Sequence, residues 1–248
     1  MHSIPADMTL LEPLLLNLGQ HDTVSEDEAR LLASVITKEA RFATGDDIVA
    51  IGSRPPNSSL LVDGFAARYK MLSDGGRQIT ALHVAGDFVD LHAFLLKTMD
   101  HGIVALSPCH VAYAAHEDLK VISEQAPHLT RLLWLDTLVD GAIHREWIVA
   151  MGRRSRKSQL AHLICELYVR LRGVHRATDA SFHFPLSQAE MADVLGLSVV
   201  HMNRVIQSLR RERLISWTHH TISIVDWARL QEVAEFDPTY LSMVREPR

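Results

Sequence analysis

Residues 186–215 read LSQAEMADVLGLSVVHMNRVIQSLRRERLI. Ser187 followed three positions later by Glu190 forms a capping box, in which each side chain satisfies an orphan backbone N–H at the start of a helix. Met191, Val194 and Leu195 supply that helix's buried stripe. Gly196 follows where the helix must stop, because glycine enters the left-handed C-cap conformation without a Cβ clash. Ser198 caps a second helix, in which Met202, Val205, Ile206 and Leu209 share one face and leave Val199, Val200, Asn203, Arg204, Gln207 and Arg211 on the other. The outward face is small, polar and cationic. Two helices joined by a short glycine-bearing turn, the second exposing such a face, make the helix-turn-helix that lays a helix in the DNA major groove. A generic helical hairpin needs neither the two caps nor the cationic face. Beyond Ile215, SWTHHTISIVDW alternates around a polar centre at His219 and His220, a small β-hairpin whose tip would lie near backbone phosphates.

Charge is distributed to match. The 248 residues carry 25 Lys/Arg against 30 Asp/Glu, a net −5 that by itself speaks against a nucleic-acid partner. By segment, residues 1–152 hold 11 basic against 20 acidic groups, 153–215 hold 11 against 5, and 216–248 hold 3 against 5. The basic excess therefore falls on the segment that contains the motif, where it attracts phosphate, while the acidic remainder is repelled.

Upstream of the motif the pattern changes. From Arg41 to about Leu119, short apolar runs are broken by Gly45-Asp46-Asp47, Gly52, Arg54-Pro55-Pro56-Asn57, Asp63-Gly64, Asp74-Gly75-Gly76, Gly86-Asp87 and Ser107-Pro108. That is antiparallel β punctuation, with Asp74-Gly75-Gly76 turning one strand (66–72) into the next (77–84), and it predicts a β-sandwich or roll. Near Glu124 the punctuation stops. Apolar residues then recur at helical intervals to Met151 on more than one face, predicting one long helix over 124–152 that packs both on its own chain and on an identical helix of a second chain. An ordinary core helix of a monomer is the alternative. Gly152-Arg153-Arg154-Ser155 breaks this helix, and a further helix begins a second domain.

The order of these parts, a β-roll, a long helix and a winged helix-turn-helix, resembles the Crp/Fnr regulators of bacteria. In the β half the landmarks are Phe42 with Gly45, Gly52, Asp63-Gly64, Asp74-Gly75-Gly76-Arg77-Gln78-Ile79 and Gly86-Asp87-Phe88; in the C-terminal half residues 186–215 match almost position by position. The tail IVDWARLQEVAEFDPTYL is similar to one alphaproteobacterial-type branch. The resemblance implies an α+β chain with N-terminal helices and a cyclic-nucleotide-binding-like double-stranded β-roll over 1–123, a dimerisation helix over 124–152 and a DNA-binding domain over 153–248. It implies a homodimer on palindromic DNA, with RNA polymerase as a further partner. Dimer contacts are expected at Leu132, Leu135, Val139, Ala142 and Ile143. DNA contacts are expected at Gln188, Ser198, Val199, Val200, Asn203, Arg204, Gln207 and His219. Carried over by position, the family's base-reading arginine is Arg204, whose guanidinium can donate to guanine O6 and N7. Where many members place a glutamate that accepts from cytosine, this chain has Val200, which packs on a thymine methyl instead.

The effector is less legible. Family members that bind cyclic AMP neutralise its phosphate with an Arg-Ser or Arg-Thr pair, and this chain has Met99-Asp100-His101 there. A phosphate without its cation, beside Asp100, would be costly to bury, so cyclic AMP is not expected as effector. No cofactor is expected, and an unidentified small-molecule effector stays open. Haem or metal sensing through His83, His92, His101, His110 or His116, with Cys109-His110 as the place to look, is the alternative reading. A cupin-like enzyme fused to a DNA-binding domain is less favoured, since no HxH pair, GxSxG elbow or glycine-rich phosphate loop occurs. Cys109 and Cys165 lie far apart without a CxxC partner, so they read as small buried residues. With no apolar run near 20 residues and no signal-peptide pattern at the start, the chain is expected in the cytoplasm as a non-enzymatic protein.

Overall fold

The computed structural model describes residues 6–248, so Met1 to Pro5, part of the stretch read for a signal peptide, lie outside the described residues. The chain divides into two compact units, one of Met1–Arg68, Leu82–Asp140 and Ser242–Arg248, the other of Tyr69–Ala81 and Gly141–Leu241. Two helices open the first, α1 (Ala6–Gly19) and α2 (Glu26–Val35), and seven strands follow: β1 (Ile36–Phe42), β2 (Asp47–Val49), β3 (Asn57–Asp63), β4 (Ala66–Met71), β5 (Arg77–His83), β6 (Gly102–Ala105) and β7 (Cys109–Ala115). A short α3 (Ala93–Leu96) interrupts them. After β7 come α4 (His116–Gln125) and α5 (Pro127–Arg153).

The strands form two antiparallel sheets, in the orders β1-β7-β3 and β2-β6-β4-β5. Strand β3 shows how the layers are held, because Leu60 and Leu61 point to opposite sides and both are buried. Leu61 faces Val49, Val89, Met99, Ile103 and Val111 inside the roll. Leu60 faces outward onto Leu11, Leu14, Leu18, Leu32, Leu119 and Leu132 from the helices. A strand covered on both faces has consecutive buried residues, as β3 does from Ser58 to Val62, the apolar Leu60-Leu61-Val62 among them. At Gly64, φ is +99° and a Cβ would stand 2.5 Å from the Pro108 carbonyl oxygen, so no other residue fits this corner without shifting the backbone.

The single helix expected over 124–152 begins instead at Pro127. Proline lacks the N–H that would continue α4 and disfavours helical backbone at the preceding Ala126, which has φ −125° and ψ 75°. It is tolerated as the first residue of α5, where its missing N–H would have had no partner.

The second unit holds the later turns of α5, then α6 (Arg156–Gly173), β8 (Ala177–Thr178), β9 (Ser181–His183), α7 (Gln188–Leu195), α8 (Val199–Arg211), β10 (Ile215–Thr218), β11 (Thr221–Ile224) and α9 (Trp227–Ala234), closed by a 3-10 turn at Pro238–Leu241. Helix α6 is buried over most of its length, and its fully enclosed Glu166 carboxylate accepts from Trp147 Nε1 of α5 (3.2 Å) and from the Tyr240 hydroxyl (2.9 Å), with Arg170 Nη1 at 3.3 Å. A buried carboxylate is tolerated only with such donors, and burial still pushes its pKa up. The hairpin after the motif joins a four-stranded sheet ordered β10-β11-β9-β8. Its two further strands are two and three residues long, too short to leave a period in the sequence.

Candidate nucleic-acid interface

The local signals in the motif produce the expected geometry. The Ser187 side chain accepts from the Glu190 N–H at 3.2 Å while Glu190 Oε2 accepts from the Ser187 N–H at 2.7 Å, closing the capping box. Gly196 ends α7 in the left-handed conformation, φ +62° and ψ 43°. Ser198 Oγ then accepts from the His201 N–H at 3.3 Å to begin α8. Met202, Val205, Ile206 and Leu209 are buried, and that fixes the rotation of α8 about its axis.

Val199, Val200, Asn203, Arg204, Gln207 and Arg211 are thereby exposed, Val200 at 66%. An exposed valine at the start of a helix gains nothing from its own chain, and a thymine methyl would supply apolar contact. Gln188, the first residue of α7, accepts from Asn203 Nδ2 at 3.2 Å, so two of the expected DNA-contacting residues from different helices touch. Thr218 pairs with Thr221 across the β10–β11 turn, with His219 at φ +52° between them, exposed at the tip.

Arg77 and Gln78 form a support that motif reading missed. The β4–β5 turn brings Arg77 to Asp193 of α7, Nε to Oδ2 at 2.9 Å. Gln78 Nε2 donates to the Asp193 carbonyl at 2.8 Å and lies 3.3 Å from that of Val194. Carbonyls in the last turn of a helix have no intrahelical partner, so this distant side chain caps α7 where it meets the motif's turn. No local pattern announces such a contact.

Residues expected at a dimer interface separate into two groups. Leu132 and Ile143 are buried within the chain itself, Leu132 in the core beneath α1 and α2. The apolar periodicity of α5 covers more than one face, so sequence spacing did not tell the inward set from the outward one. Leu135, Val139 and Ala142 are partly buried. The exposed apolar side chains of α5 are Trp134 (64%), Leu138 (54%), Ile148 (65%), Val149 and Met151.

In the first unit, the histidines weighed as ligands are engaged individually. His110 Nε2 meets Glu39 Oε2 at 2.7 Å, His116 Nε2 meets Ser58 Oγ at 3.2 Å, and His101 Nδ1 meets Asp100 Oδ1 at 2.7 Å. His83 and His101 are buried, and His92 packs on the His101 ring at 5.0 Å between centroids. Burial, with the nearby Arg68 guanidinium, lowers the pKa of all three below the ordinary imidazole value, His92 to about 4. Cys109 and His110 project to opposite sides of β7. Cys109 lies buried with Sγ 3.2 Å from the Phe65 carbonyl oxygen, and burial lifts its thiol to about 11. Among the described residues no group of three or more His, Cys, Asp or Glu is placed to hold a metal ion. At the position of the missing arginine pair, Met99 is buried in the roll's core. The cation inside is Arg68 of β4, absent from the sequence reading, with Nη1 3.0 Å from Asp140 Oδ2 of α5 and Nη2 3.3 Å from the Val89 carbonyl oxygen.

Two family models match where these features lie, a Crp-like helix-turn-helix domain over residues 158–233 and a cyclic nucleotide-binding domain over residues 39–126. The chain belongs to the Crp/Fnr family of transcription regulators. The regulator is 26% identical to the transcriptional activator protein FnrL of Cereibacter sphaeroides, over 79% of its own length and 80% of the relative's. It is likewise 26% identical to the nitrogen fixation regulation protein FixK of Bradyrhizobium diazoefficiens, over 79% and 82% of the two chains. The solved structure of FixK2 from Bradyrhizobium japonicum matches 79% of the regulator and 96% of that chain with a TM-score of 0.72 at 22% identity, a likeness of fold. The regulator's helix-turn-helix is therefore a DNA-binding element, and among the described residues no helix is long and apolar enough to cross a membrane.

Proposed function

We propose that this regulator binds a palindromic duplex site as a cytoplasmic homodimer, reads a guanine in each half-site through Arg204 and a thymine methyl through Val200, and acts by binding rather than by catalysis. The observation that carries the reading is the rotation of α8: its four buried apolar residues leave Arg204, Asn203 and Val200 on the accessible face. Pairing of two chains along α5 is supported by its exposed apolar side chains, Trp134, Leu138 and Ile148 foremost. Two-fold pairing would set the recognition helices about 34 Å apart, one turn of duplex, and RNA polymerase is the further partner in this reading.

Cyclic AMP is not the effector in this reading. Met99-Asp100-His101 stand where the family's arginine pair would be, and the buried Arg68 guanidinium is already matched by Asp140. Millimolar cyclic AMP should therefore leave the melting temperature unchanged, since a ligand well above its dissociation constant must stabilise the state it binds. A clear upward shift would overturn this part.

Selection of bound sequences from random duplex DNA, with purified protein and no added ligand at stated salt, tests the reading as a whole. Enrichment of a palindrome containing a guanine in each half is expected. Replacing Arg204 by Ala should abolish preference at that base pair at a cost of about 1–3 kcal/mol on the selected site and little on random DNA. Equal loss on both would remove Arg204 from base reading.

A further inference from the structure

We infer that Asn203 reads an adenine in each half-site and that Gln188 is the residue that positions it, an inference that rests on α8 lying in the major groove. Asn203 stands one residue before Arg204 and is exposed, while its neighbour Met202 is fully buried and fixes the backbone beneath it. The terminal torsion of an asparagine is broad and nearly two-fold, so an exposed amide ordinarily presents either edge to a ligand. Here one amide N–H is committed, donating to Gln188 Oε1 at 3.2 Å.

The Gln188 side chain is exposed, but the backbone that carries it is fixed. It follows Ser187 directly, and the Ser187–Glu190 capping box fixes the first turn of α7 on which it sits. With one N–H so used, Asn203 has one N–H donor and its Oδ1 acceptor left for a base. Adenine alone displays the complement of that pair in the major groove, an N7 acceptor beside an N6 amino donor. Guanine offers two acceptors, O6 and N7, and would set O6 against Oδ1. Thymine offers no donor and cytosine no adjacent acceptor. The half-site then contains an adenine beside the guanine assigned to Arg204, discriminated by an interaction preset before DNA arrives.

The test measures affinities of the full-length protein for its selected palindrome and for every single-base change in the half-site, using wild type, Asn203→Ala, Gln188→Ala, Gln188→Glu and Arg204→Ala. Wild type is expected to prefer adenine roughly tenfold at one position, and Asn203→Ala to lose that preference while keeping the guanine preference. Gln188→Ala should weaken preference at the same position. Gln188→Glu retains an acceptor for the Asn203 amide, so it should keep adenine preference there while lowering affinity on all sequences alike through repulsion from phosphate. Base preferences unchanged in Asn203→Ala, or a different base preferred at the position it controls, would overturn the inference. If Arg204→Ala loses guanine preference while Asn203→Ala is silent, this inference falls alone. If both are silent, the major-groove placement of α8 falls with it.

Discussion

Single residues that decide this protein's behaviour sit both on its surface and in its core. Asp90 is fully buried, its carboxyl accepting from the Ser59 backbone N–H at 2.5 Å and from Ser59 Oγ at 3.2 Å. Burial pushes its pKa up to about 7, against the pull of the two Ser59 bonds and the Arg68 charge. An unfolded aspartate titrates near 3.8, so the folded state holds the proton more tightly. The stability this contributes is complete below the unfolded value and is lost as pH rises through the folded one, a window from about 4 to about 7. Asp90→Asn keeps an acceptor for the Ser59 N–H and removes the proton, so its melting temperature should change less than wild type's between pH 4 and 8. Parallel curves in a pH series of thermal melts would show that Asp90 does not titrate in that range. The surface residues were legible because Gly196, Ser187 and Ser198 impose their conformations locally. Asp90 and Arg68 were not, since nothing nearby in sequence says that an acidic and a basic side chain will be enclosed.

Among the elements, the helix-turn-helix depends on a strand pair more than a hundred positions upstream. Gln78 and Arg77, read from sequence only as family landmarks after a turn, hold the last turn of α7 through its carbonyls and Asp193. Gln78→Ala leaves those carbonyls without this donor and should cost about 1–2 kcal/mol. For a chain of this size that is a fall of several degrees in melting temperature, measurable by circular dichroism. Arg77→Ala should cost less, because the pair is partly solvated and exposed ion pairs contribute at most about 1 kcal/mol. Equal and negligible effects of the two changes would mean that α7 needs no support from this turn. The wing shows the same limit of local reading. The alternation in residues 216–227 announced β10 and β11, but β9 pairs with β11 through Ile222 and Phe182, which no periodicity in three residues could reveal.

At the scale of the whole molecule, the proposed dimer rests on the apolar residues of α5 that remain exposed. Leu138→Glu places a charge on an exposed position that has little to lose in the single chain. It should leave the melting temperature of the monomer nearly unchanged, convert a sedimenting dimer to monomer, and weaken binding to a palindrome far more than to a half-site. A dimer that survives this change would move the interface away from Leu138. The same contrast shows what each level of description determined. Sequence by itself determined the parts: the caps and glycine that end helices, the turns that punctuate strands, the rotation of α8 and the location of positive charge, because each follows from conformational preference or periodicity within a few residues. Tertiary structure decided which face of α5 is spent on the chain's own core, where Arg68 finds Asp140, and that Gln78 caps α7. Those outcomes depend on residues brought together across long separations, and a one-dimensional pattern carries no term for that proximity.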